Sequence, residues 1–148
     1  MRKLLFITIT LFLCFNSFSQ IGKANDVTKY TKVGKLTNPY KYVELQYAEI
    51  NNQKEYKLSF KNLEYEAITD IATIYFMASD EELEYLYETF VEMTKLPKNE
   101  EKTLTLGEGV LLMTSQGYKQ FYLYYKEDGK PTKYTWLSAK QVKKLFGK

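Results

Sequence analysis

From Tyr40 onward apolar and polar side chains alternate, with Val43, Leu45 and Tyr47 in one phase and Tyr42, Glu44 and Gln46 in the other. A period of two places the two sets on opposite faces of a strand. After Asn51 and Asn52 the alternation resumes, with Tyr56, Leu58 and Phe60 set against Lys57, Ser59 and Lys61. The spacing predicts a hairpin with one wet face, the usual condition of an antiparallel sheet. Leu63 to Thr69, with Glu64, Glu66 and Asp70 around it, reads as a loop or a frayed strand. Ile71 to Ala78 is apolar in both phases and rich in β-branched and aromatic residues, which predicts a central strand.

At Ser79 the period changes. Ser79-Asp80-Glu81-Glu82 has the form of a capping box, in which the serine hydroxyl accepts the N3 amide and the N3 carboxylate reaches back. Leu83, Leu86, Tyr87, Phe90, Met93 and Thr94 then recur at helical spacing until Pro97 ends the run. Leu83, Leu86 and Phe90 are expected to hold this helix to the sheet, while Glu81, Glu84, Glu88 and Glu92 form an acidic stripe facing away.

Past Pro97 four short strands are predicted, at 102–106, 110–113, 118–126 and 132–137, separated by turns around Gly107-Glu108-Gly109, Ser115-Gln116-Gly117 and Glu127-Asp128-Gly129. Ser138 to Gln141 repeats the capping-box form and opens a short helix through Phe146, with Gly147 as its stop. The expectation is an α+β domain: one antiparallel sheet of about six to seven strands with two helices on one face, in the order βββ-α-ββββ-α. From the third strand onward this order is similar to that of the TATA-binding-protein-like folds, where helices pack on one face of a curved antiparallel sheet. The likeness is one of topology and implies no function. No repeat of fixed period is present, although the two joints from strand to capped helix resemble each other.

The first nineteen residues are a different object. Arg2 and Lys3 precede an apolar run from Leu4 to Phe15, and Ser17 and Ser19 supply small side chains at the −3 and −1 positions of a cut before Gln20. This is the form of a secretory signal peptide, and its run of about a dozen residues is short of the ~20 that span a bilayer. The expectation is export to the periplasm or the exterior as a chain that does not span the membrane. A lipidated N-terminus at Cys14 is disfavoured, because Leu11-Phe12-Leu13 puts a bulky leucine where processing needs a small residue. Losing Cys14, the single cysteine, leaves a mature chain without a disulfide in a compartment that permits one. Residues 20–40 carry Lys23, Lys29, Lys32 and Lys35 against Asp26 and follow neither period, so an extended basic arm is expected ahead of a single domain at 41–148.

Charge and composition then narrow the chemistry. Of 21 Lys and Arg, Arg2 and Lys3 leave with the signal peptide, so the rest exceed the 18 Asp and Glu by one. A near-neutral domain lacks the concentrated basic face that nucleic-acid binding requires. There is no histidine, and with Cys14 removed neither a Ser-His-Asp nor a Cys-His nucleophile can be assembled, nor a zinc or copper site with imidazole or thiolate ligands. Carboxylates remain. A glycosidase needs two of them across a sugar cleft, and Glu64, Glu66, Asp70, Glu108 and Asp128 lie in or near loops with nothing in the sequence to pair them. The acidic stripe has no calcium-loop motif, and solvation or pairing with lysines of the same chain accounts for it. No metal and no cofactor are expected.

The positive feature is aromatic. The chain has 14 Tyr, 9 Phe and 1 Trp, more rings than the core of a domain this size can cover. Tyr122 and Tyr124 share the face opposite Phe121, Leu123 and Tyr125, and Tyr134 and Trp136 share a face of the next strand. Together they would make a platform for a partner protein or a glycan of the cell envelope, unless both faces of the sheet are covered. The expected function is that of an exported, non-catalytic binding module. The alternatives are a carboxylate-based glycan hydrolase and a structural protein that self-associates through an open sheet edge.

Overall fold

A computed structural model describes residues 28–65 and 67–148. The signal peptide with Cys14 and its cleavage site, residues 20–27 of the expected arm, and Glu66 lie outside the described residues.

In chain order the elements are β1 (Thr31–Asn38), β2 (Lys41–Ile50), β3 (Gln53–Lys61), β4 (Ile71–Met77), α1 (Asp80–Met93), β5 (Glu101–Leu106), β6 (Gly109–Gly117), β7 (Gln120–Glu127), β8 (Lys133–Ser138) and α2 (Ala139–Leu145). The fold is α+β with antiparallel pairing throughout, but the strands form two separate sheets, β1-β2-β3-β4 and β5-β6-β7-β8. The single sheet of six to seven strands is therefore corrected to two sheets of four, in the order ββββ-α-ββββ-α. Strands before and after α1 pair only within their own sheet, so the one curved sheet of the TATA-binding-protein-like topology is not formed.

The eighth strand is β1, inside the stretch read as an arm. Its pairing with β2 shifts register between Lys32 and Gly34, and this irregularity breaks the alternation that would have marked it. Only Leu36 is a buried apolar side chain in it; the strand is held by its ladder to β2 and by the end of α2. Gly34 faces that end so closely that a Cβ would lie 2.3 Å from the carbonyl oxygens of Lys144 and Leu145.

A second correction concerns β4, which lies at the edge of its sheet. Ala72, Ile74 and Phe76 face inward, whereas Ile71, Tyr75 and Met77 are exposed. Its outer neighbour is the turn between β5 and β6, where Gly107 sits at φ +60° with no room for a Cβ beside the Tyr75 carbonyl.

The inner faces of both sheets and one side of each helix share a continuous core. Val43, Leu58, Phe60 and Ile74 come from the first sheet and Leu111, Met113, Phe121 and Leu123 from the second, joined by Leu86, Phe90 and Met93 of α1 and Val142 and Leu145 of α2. Phe90 meets Phe121 and Phe146 edge-on at 5.4 and 5.6 Å between ring centroids, the preferred arrangement of aromatic quadrupoles. Leu83 packs at the margin of this core rather than within it. The box at α1 is complete: the Ser79 hydroxyl accepts from the Glu82 amide at 3.2 Å and the Ser79 amide donates to Glu82 at 2.7 Å. Those bonds hold the Glu82 carboxyl below its ordinary range. At α2 the return half is made, with the Ser138 amide donating to Gln141 at 3.0 Å.

Candidate functional site

The register of β7 on β8 sets Tyr122 opposite Trp136 and Tyr124 opposite Tyr134. Because strand side chains alternate, all four stand on the face away from the core, beside Leu112 and Thr114 of β6. Tyr122 lies 6.0 Å from Tyr124 and 6.1 Å from Tyr134, and Tyr124 lies 5.6 Å from Tyr134. The structure thus brings together the four aromatic residues singled out in the sequence. All are half-buried rather than covered by a helix or by the first sheet.

What the sequence did not indicate is a wall. The turn between β1 and β2 and the loop after β3 stand over one end of this face and enclose a cleft of about 660 Å³, whose floor includes Tyr122, Tyr134 and Trp136. Tyr40, at 81 % exposure, and Tyr65, at 44 %, flank it, and Lys41 and Lys61 supply its cations. Tyr124 supports the floor through its contacts with Tyr122 and Tyr134 without lining the cleft.

The wall is fixed by the open edge of β8. The Leu63 amide donates to the Tyr134 carbonyl at 3.0 Å, and the Tyr134 amide donates to the Asn62 side chain at 3.2 Å. Asn62 in turn donates to Asp70 at 3.0 Å, and Lys133 pairs with Asp70 at 2.6 Å. Hydrogen bonds from Lys133 and then Asn62 hold the Asp70 carboxyl below its usual range. Edge groups of β8 that would otherwise be open to another strand are thereby satisfied within the chain.

Lys41 closes the same junction. It continues the inward phase of Val43 and Leu45 and is only 4 % exposed. Its ammonium donates to the Trp136 carbonyl and, at 2.9 Å, to Gln141, and it sits 3.6 Å from the centroid of the Trp136 ring. That is within cation–π range. Burial pulls its pKa down from 10.5 to about 8. Among the described residues no carboxylate pairs with Lys41 or Lys61, and none lines the cleft. Beyond the aromatic residues of its floor, the signal in the sequence for this site was a lysine in the apolar phase of a strand.

The remaining candidates lie elsewhere. Glu81, Glu84, Glu88 and Glu92 are exposed on α1, and two of them are paired within the chain, Glu84 with Lys148 and Glu92 with Lys102. No group of acidic residues arranged to hold a metal ion occurs among the described residues. Of the loop carboxylates, Asp70 is taken up by Lys133 and Asn62, whereas Glu108 and Asp128 lie at the β5–β6 and β7–β8 turns. No described helix is long and apolar enough to cross a membrane. No protein-family model matches the chain, and neither a curated protein nor a solved structure is significantly similar to it.

Proposed function

We propose that this protein is an exported binding module that seats an envelope component or a partner in the cleft between the face of the second sheet and the β1–β2 turn, without transforming it. The observation that carries this reading is the convergence of Tyr40 and Tyr65 from the first half of the chain on Tyr122, Tyr134 and Trp136 from the second. A volume of about 660 Å³ falls among the ~300–1,000 Å³ clefts that hold small ligands, and a mostly aromatic lining with a few polar groups is their usual chemistry. Binding without catalysis is supported by the composition, which offers no histidine, and by a lining in which no two described carboxylates face each other. Export is supported by the Arg2-Lys3 start and the apolar run to Phe15.

Trp136 is the only tryptophan, so the cleft carries its own reporter. Adding a soluble fraction of the native envelope to the mature chain should shift or quench Trp136 emission. Tyr122→Ala should abolish the response while leaving the melting temperature within a few degrees. An undiminished response in Tyr122→Ala rejects the cleft as the site. N-terminal sequencing of the secreted chain should read from at or near Gln20, and retention of residues 1–19 rejects the cleaved signal peptide on which the export reading rests.

A further inference from the structure

We propose that the ligand of this cleft is an acidic saccharide, a pyranose chain bearing carboxylates such as a uronate oligosaccharide; this rests on the cleft being the ligand site. Two observations point there. The first is charge. Lys41 is an ammonium withdrawn from water whose partners among the described residues are the Trp136 carbonyl and ring and the Gln141 amide oxygen, none of them anionic, with Lys61 nearby as a second cation that no described carboxylate pairs. A buried ammonium facing neutral oxygens is incompletely compensated, and a carboxylate entering the cleft supplies the missing counter-charge. The described lining has no acidic residue to repel it.

The second observation separates a saccharide from a peptide. One general way to capture an extended peptide is to add it as a strand to a free sheet edge. The edge beside this cleft is taken: Leu63, Asn62 and Lys41 already bond the main chain of Tyr134 and Trp136. What remains for a ligand is ring faces, phenolic hydroxyls and ammonium groups. These suit a chain of pyranoses, whose C–H faces stack on rings, whose hydroxyls bond tyrosines and whose carboxylates meet lysines.

The test uses the mature chain and Trp136 emission at low and moderate salt, with oligogalacturonate, oligomannuronate and hyaluronan oligosaccharides as acidic probes. Fully methyl-esterified oligogalacturonate serves as the neutral counterpart, and oligoglutamate as an anionic peptide. At least one acidic saccharide should bind tenfold or more tightly than the methyl ester and than oligoglutamate. Lys61→Ala should remove most of that preference, lowering affinity for the acidic saccharide far more than for the ester, and Lys41→Met should do the same. Equal affinity for acid and ester overturns the charge argument and leaves the cleft reading standing. Oligoglutamate matching the sugars overturns the saccharide class. Silence toward every acidic sugar overturns the proposal, and if the envelope fraction still moves Trp136 emission, the cleft reading survives it. Silence toward both defeats the two together.

Discussion

The outward faces of the two sheets stand on the same ladder of four antiparallel strands followed by a capped helix, yet they hold opposite chemistry. On the first sheet two tyrosines are tied to carboxylates, Tyr30 donating to Glu55 and Tyr42 to Glu44, with Lys35 3.8 Å from Glu44 and Lys57 4.6 Å from the Tyr30 ring centre, while Tyr75 stands exposed beside Tyr30. Burial, and then the bonds to those glutamates, push both phenols up to about 12. On the second sheet no described carboxylate bonds Tyr122, Tyr124 or Tyr134, and the rings contact one another. The Tyr124 phenol is raised by burial first and by its two tyrosine neighbours next. Equal scaffolds thus carry one face where two tyrosines are bonded to carboxylates and one whose tyrosines contact one another. The proposed binding role falls on the second face, where no described carboxylate answers Tyr122 or Tyr124.

The largest expected effects test whether the halves are one cooperative unit. Phe60→Ala in the first sheet and Phe121→Ala in the second should each destabilise by about 3–5 kcal/mol, since both rings are fully buried in the shared core. Both variants should still unfold in a single calorimetric transition. Two transitions in Phe60→Ala would break the comparison by showing halves that fold apart.

Gly34→Ala comes next, at about 1–3 kcal/mol or more, because its Cβ meets backbone carbonyls of α2 rather than a side chain that can move. Chemical denaturation measures it, and a neutral result would mean that β1 does not lie against that helix end.

A sharper contrast comes from removing single hydroxyls. Tyr42→Phe leaves the buried Glu44 without its phenol and should cost about 1–2 kcal/mol, whereas Tyr124→Phe should stay within about 0.5 kcal/mol. The sign with pH is fixed by the raised phenol. Between pH 10 and about 12 the unfolded tyrosine ionises while the folded one does not, so wild-type stability falls across that window and the fall is smaller in Tyr42→Phe. Equal costs at the two positions would erase the distinction between the faces.

Lys41→Met should change stability least at neutral pH, because lost hydrogen bonds are offset by no longer burying an ammonium. The folded pKa of Lys41 lies below the unfolded one, so above pH 8 the unfolded state holds more protons and wild-type stability rises toward pH 10.5. The variant should lack that rise in urea midpoints measured across this range, and parallel profiles would show Lys41 to be solvated.

What the sequence by itself determined is local in origin. The alternation of β2 and β3, the box at Ser79 and Glu82, the helical phase of Leu86, Phe90 and Met93, and the common outward face of Tyr122 and Tyr124 each depend on residues a few positions apart, where backbone geometry dictates what touches what. Tertiary structure decided the rest. β1 carries too little apolar pattern to announce itself and exists through pairing with β2 and the seat of Gly34 on α2. Ile71 to Met77, apolar in both phases, became an edge strand because β5 pairs with β6 and not with it. The cleft itself joins Tyr40, Lys41 and Tyr65 to residues about 60–100 positions later in the chain, and no local period records a contact of that range.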